Sequence, residues 1–290
     1  MRLSTVVLPL ERWSKSKEKW RRAEELGFSA AYTYDHLSWR RLEDRPWLGA
    51  IPTLSAAALA TSTIRLGTLV TTPNFRHPVP LAKDLLSLDD LSNGRLTVGV
   101  GAGARGSDAR VLGNDPWLAQ ERMDRFVNFV ELLDHLLEQP VTSHRGSFYS
   151  ASDARMLPGT VQQPRPPFFV AAAGKRGLEV VTRFGQGWVT IGRSSNAQES
   201  CYDAVSSQLN RLRSALDEAD RPLDSIERLL LDGLNDEQPL VSLDAFVDWA
   251  GRYQSLGITE LVIHWPEPNS LFDFDVATFE KIATEGLAQL

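Results

Sequence analysis

A chain of 290 residues, 42% of them hydrophobic and 23% charged, has a normal globular balance and material for a large core. Its formal net charge of −6 argues against a general nucleic-acid binder, which needs a concentrated basic surface to displace counterions. One cysteine excludes an intramolecular disulfide and a cysteine-based zinc site, and no apolar run approaches the roughly 20 residues that cross a bilayer.

Residues 1–10 run straight into an apolar strand, with no h-region and small-residue cleavage site, so a cytoplasmic protein is expected. Leu3–Leu8 reads as the first strand, and the helix after it ends at Leu26-Gly27, with the glycine placed as a C-cap. Ala30–Tyr34 is the second strand. Pro52 opens an alanine-rich helix through Ala60, Ile64–Val70 is the third strand, and Leu81–Leu91 is a helix closed by Ser92-Asn93-Gly94. Leu96–Val100 is the fourth strand. Phe126, Phe129, Val130, Leu133, Leu136 and Leu137 then fall at i, i+3, i+4, i+7, i+10 and i+11, a continuous apolar helical stripe.

Pro140 to Pro167 holds five prolines and scattered polar residues without a period, and reads as an irregular insertion before the fifth strand, Phe168–Ala172. A helix over about 175–184 leads to a strand near Trp188–Ile191. Cys201 follows among Glu199, Ser200, Tyr202 and Asp203, with no cation to stabilise a thiolate, and reads as an inert thiol. Val205, Leu209, Leu212 and Leu216 form another helical stripe. Ile226–Leu231 is the seventh strand, Leu243–Leu256 a helix capped by Gly257, Leu261–His264 the eighth strand, and Phe279–Leu287 the closing helix.

Eight alternating strand–helix units imply a parallel sheet, and at this length closure into a single (β/α)8 TIM barrel spanning residues 1–290 is the expected architecture. An open doubly wound sheet is the rival. Against it, no Gly-x-Gly-x-x-Gly turn follows the first strand.

Catalytic groups of such barrels gather at the carboxyl ends of the strands. There the sequence offers neither a His-x-His metal pair nor a Gly-x-Ser-x-Gly elbow, although His36 and His264 stand at two strand ends where they can face each other across the mouth. It offers bare backbone instead. Gly99-Val100-Gly101-Ala102-Gly103-Ala104 has small or absent side chains, which either lets a flat ring approach the main chain or relieves crowding at a turn. Ala173-Gly174-Lys175-Arg176-Gly177 runs from a strand into a helix whose free amides and neighbouring cations suit a phosphate, or form only a solvated basic turn. Trp39, Phe75 and Trp265 are candidates for an apolar pocket or for core packing.

Several stretches taken in order carry a family resemblance. They are Ala23-Glu24-Glu25-Leu26-Gly27-Phe28 leading into Tyr34-Asp35-His36, and Ile64-Arg65-Leu66-Gly67-Thr68 with Thr72-Pro73-Asn74-Phe75-Arg76-His77-Pro78. Leu88-Asp89-Asp90-Leu91-Ser92-Asn93-Gly94-Arg95-Leu96, Gly99 to Gly103, and Gly185-Gln186-Gly187-Trp188 complete the set. Over residues 1–193 the chain resembles the luciferase-like superfamily of flavin- and deazaflavin-dependent barrels.

The resemblance implies a cofactor ring in the mouth, contacted by Asp35, His36, Thr68, Leu69, Val70, Thr72, Gly101, Ala102 and Gly103. Its phosphate is expected near Ala173, Gly174, Lys175, Arg176 and Gly177, with no metal. A non-prolyl cis peptide is implied in a bulge of the third strand, at Leu69-Val70. Asp35-His36 matches the pair of many deazaflavin-dependent members, which implies His36 at the reactive edge, either moving a proton or only orienting the ring. His77 reads as structural. The family's sugar-phosphate dehydrogenases carry a glutamate directly after the Gly-x-Gly of the fourth strand. Here that position is Ala104, followed by Arg105, so a different substrate is implied.

The expectation is therefore hydride transfer between coenzyme F420 and a small organic substrate. The alternatives are an FMN-dependent monooxygenase fed by a separate flavin reductase, and a non-catalytic flavin-binding protein. The resemblance further suggests a homodimer, and the acidic net charge and the lack of a long apolar run suggest neither a nucleic-acid nor a membrane partner.

Overall fold

The computed structural model describes residues 1–39, 42–104, 107–193, 199–233 and 237–290. Its strands in chain order are β1 (Arg2–Val6), β2 (Ala30–Thr33), β3 (Arg65–Thr71), β4 (Leu96–Gly101), β5 (Val141–Arg145), β6 (Ser150–Arg155), β7 (Phe168–Ala171), β8 (Gly187–Thr190), β9 (Glu227–Leu231) and β10 (Glu260–His264). The helices are α1 (Trp13–Glu25), α2 (Ala50–Ala60), α3 (Pro78–Leu91), α4 (Ser107–Val111), α5 (Ala119–Glu138), α6 (Lys175–Phe184), α7 (Cys201–Glu218), α8 (Leu243–Leu256) and α9 (Val276–Glu285). Eight strands close a parallel barrel, in the order β1-β10-β9-β8-β7-β4-β3-β2.

The period of two along each strand divides the core into two layers. On β10, Val262 joins the inner cluster with Val6, Tyr32, Leu69, Phe169, Val189 and Leu229. Its neighbours Leu261 and Ile263 face outward into the larger cluster beneath the helices. Strands buried on both faces read as short continuous apolar runs, which is why the sequence announces them. All six residues of the expected α5 stripe are buried.

The insertion before the fifth barrel strand carries an antiparallel hairpin, β5 with β6. The sequence does not announce it because solvent lies on both faces: most of its residues are exposed or half-exposed, so no apolar alternation marks the strands.

Several residues of the family resemblance hold this frame. Arg95 donates to the carbonyls of Ala58, Ile64 and Ser92 at 2.7–2.9 Å, tying the ends of α2 and α3 to the start of β3. Asn93 (φ 52) and Gly94 (φ 76) take left-handed backbone to make that turn. Asp89 accepts from the backbone N–H and the side-chain amide of Gln162. Gln186 accepts from Phe168 N–H and from Arg165.

Glu24 accepts from the backbone N–H groups of Ser62, Thr63 and Ile64. Burial alone raises its pKa, but these bonds outweigh it and pull the carboxyl from 4.5 to about 2. A depressed carboxyl stabilises the fold above its unfolded value and loses that contribution as pH falls through the folded one. Glu24→Gln is therefore expected to cost about 1 kcal/mol at neutral pH, discounted for exposure. In urea denaturation the difference from the parent should shrink between pH 4.5 and about 2.

Candidate active site

The carboxyl ends of β2, β3 and β4 bring the expected residues to one side of the mouth. Along β2 and the residues that follow it, inward-pointing positions stack as layers along the barrel axis. At the floor, Tyr32 Oη donates to Glu260 Oε1 at 3.1 Å, and Arg2 pairs with Glu260 and Glu227. In the middle, Tyr34 Oη and His264 Nε2 share a hydrogen bond of 2.8 Å. Burial pulls His264 down to about 3, so its ring is neutral, and it stacks on Phe272 at 3.7 Å. At the top stands His36, its side chain 19% exposed. The two histidines do not meet: the Tyr34 ring lies between them, edge-on to each.

His36 is held from three sides. Its Nδ1 lies 2.8 Å from Asp108 Oδ2, the other Asp108 oxygen accepts Leu37 N–H at 2.8 Å, and Trp47 Nε1 donates to the His36 carbonyl at 2.9 Å. Asp108 is fully buried. It comes from α4, a single turn of helix just beyond the small-residue loop. Its partner His36 lies 72 positions earlier, so no local motif exposes the pairing; an acidic residue closely following Gly101–Gly103 was the one available signal.

Asp35 is 1% exposed in its side chain, and both its oxygens are engaged. Oδ2 accepts from Thr71 Oγ1 at 2.6 Å, and Arg76 forms a fork across the carboxylate at 3.0 and 2.7 Å. What Asp35 grips in this structure is the loop after β3, a role that the sequence pattern did not separate from cofactor contact. Thr68 is likewise buried and donates to the Gly99 carbonyl, and Thr72 Oγ1 accepts from Asn74 N–H. Leu69-Val70 is a cis peptide, set in a register shift of β3 against β4 between Thr68 and Thr71.

The glycines of β4 relieve real crowding. A methyl group on Gly99 would strike the Thr68 backbone, and one on Gly101 would come within 2.7 Å of Val70 Cγ2. Gly103 (φ 75) takes left-handed backbone against Asn74. Gly101 is buried, while Ala102 and Gly103 are half-exposed and present main chain to the mouth. Ala104 is exposed; Arg105 and Gly106 lie outside the described residues.

The second group follows β7, the strand paired with β4. Gly174 is the N-cap of α6, offers no side chain to the first amides, and has open space where a Cβ would stand. Ala173, Lys175 and Arg176 are exposed; Arg176 pairs with Asp124 of α5, and Gly177 is buried against Ala172. Trp39 stands in an aromatic wall, stacked on Phe272 at 6.0 Å with Trp47 at 6.4 Å. Phe75 lies under the Arg76 guanidinium, and Trp265 packs on Phe279 of α9, away from the mouth. His77 caps α3, its Nδ1 accepting from Val79 N–H at 3.2 Å. Burial pushes the Cys201 thiol up to about 12. Among the described residues no three His, Cys, Asp or Glu side chains are grouped to hold a metal ion, and no helix is long and apolar enough to cross a membrane.

A closed barrel with an anchored histidine and bare main chain at one end is the setting in which the comparisons with known proteins fall. The profile of the luciferase-like monooxygenase family matches residues 3–231, and the chain belongs to that family. The F420-dependent hydroxymycolic acid dehydrogenase of Mycobacterium tuberculosis is 33% identical over 182 residues, covering 60% of this chain and 48% of that protein. The F420-dependent glucose-6-phosphate dehydrogenase of Beutenbergia cavernae is 34% identical over 174 residues, covering 58% of this chain and 49% of that protein. The chain thus spans about half the length of these curated relatives in the matched region.

Among solved structures, the F420-dependent tetrahydromethanopterin reductase of Methanopyrus kandleri superposes with a TM-score of 0.78 at 18% identity, covering 99% of this chain and 98% of that one. The monooxygenase RslO1 of Streptomyces bottropensis does so with a TM-score of 0.79 at 22% identity, over 99% of both chains. At such identities these structures establish the shared fold.

Proposed function

We propose that this chain is an F420-dependent oxidoreductase that moves a hydride between the deazaflavin and a small organic substrate. The observation that carries the reading is His36, held at Nδ1 by the buried Asp108 and 19% exposed in its side chain, at the same end of the barrel as the half-exposed main chain of Ala102 and Gly103. The two relatives named for F420 support it.

The residues present fit the group. Gly101, Ala102 and Gly103 would lie along the ring with Leu69 and Val70 behind it, and the uncapped amides of α6 with Lys175 would hold a phosphate. When bound, the deazaflavin supplies a two-electron hydride acceptor and donor. The chain's own part is position and proton traffic. His36 holds or releases at Nε2 the proton that accompanies the hydride, and the aromatic wall of Trp39, Trp47 and Phe272 keeps water from that edge. Ala104 leaves no carboxylate after the Gly-x-Gly of β4, which favours a substrate other than a sugar phosphate. The test is titration of the purified protein with F420 and with FMN. Tight deazaflavin binding and weak FMN binding is the expected result, and oxygen uptake on reduced FMN would favour the monooxygenase reading instead.

A further inference from the structure

We infer that Asp108 is a positioning residue that fixes the tautomer of His36, making Nε2 the atom that accepts a proton. The inference rests on the proposed function for the use of that proton, but its geometry stands apart from any cofactor. The Leu37 backbone N–H can only donate, so the Asp108 oxygen it meets at 2.8 Å is an acceptor. The second oxygen, 2.8 Å from His36 Nδ1, accepts as well when the group is an ionised carboxylate, which has no hydrogen to donate. Nδ1 must then carry the hydrogen, and the neutral ring keeps its lone pair at Nε2, which has no hydrogen-bond partner among the described residues.

The arrangement has a direction. When a substrate X–H bond releases its proton, an N–H bond forms at Nε2, and the resulting imidazolium lies against a buried anion that favours it. The electrons of the X–H bond stay with the substrate, and the reverse reaction returns the same proton. Asp108 also joins two segments. The chain that starts as the Gly101–Ala104 shelf continues into α4, so a ligand resting on that shelf touches the segment that orients His36.

The experiment is 15N NMR of protein labelled at histidine nitrogens, without cofactor, with His36 assigned by loss of its signals in His36→Ala. In the parent, the neutral ring should show a protonated Nδ1 and an unprotonated Nε2. In Asp108→Asn, the Leu37 N–H keeps the amide oxygen, so the amide N–H group turns to Nδ1 and the two nitrogens should exchange character. With F420 and a turned-over substrate, that variant should lose at least about 100-fold in kcat with KM and deazaflavin affinity unchanged, and Asp108→Glu should recover part of the loss. An Nε2–H tautomer in the parent, or an Asp108→Asn loss with the tautomer unmoved, would overturn the inference. Failure to bind F420 would sink the functional reading and leave the NMR result to stand alone.

Discussion

Replacing His36 with alanine is expected to lower turnover with F420 by roughly 100- to 10,000-fold while the deazaflavin still binds. The main-chain shelf and the α6 amides belong to other segments, so removing one imidazole takes away proton transfer and little of the binding surface. Steady-state kinetics beside a fluorescence titration separates the two effects. Equal losses in affinity and turnover would mean that His36 only orients the ring. Because the Trp47 indole is held by the His36 carbonyl, the substitution leaves that wall contact in place.

Arg165→Leu is expected to cost about 3–5 kcal/mol of stability, or roughly 5–8 °C in Tm for a chain of this size. The Arg165 side chain is 5% exposed and donates to Asp134 Oδ1 at 2.7 Å. It also donates to Gln186 Oε1 and to the carbonyls of Phe184 and Pro166. Its guanidinium lies 3.6 Å above the Phe168 ring. One side chain thus ties α5, α6, the entry to β7 and the turn into β8. Leucine replaces the volume but leaves the Asp134 carboxylate and two carbonyls without their donor, which is the costly way to break a buried pair. The double variant with Asp134→Leu should recover a large part of the loss, since an apolar pair restores packing without a stranded charge. Thermal denaturation of the three proteins checks both statements; a loss below about 1 kcal/mol in the single variant would contradict the first.

Arg165 shows where sequence reading runs short. The eight barrel strands and their helices were legible because burial on both faces leaves compact apolar runs, and because α5 and α7 carry unbroken stripes. The β5–β6 hairpin and the single turn of α4 leave no such trace: one faces solvent on both sides, and the other is too short for a period. The site divides in the same way. His36 and the small residues of β4 could be found from local pattern, whereas Asp108, Tyr34 and Arg76 act through partners distant in sequence that only the folded barrel brings near. Residues such as Glu24, Asp89, Arg95 and Gln186, which carried much of the resemblance, join turns and strand ends on the frame. Family likeness in this chain therefore speaks most directly for the barrel, and the chemistry rests on the few side chains that reach its open end.

The most direct test is fluorescence titration of the purified chain with oxidised F420, run beside FMN. Saturable quenching of the deazaflavin, at concentrations well below those at which FMN binds, is the predicted result. Saturation by FMN with no response to F420 would contradict it.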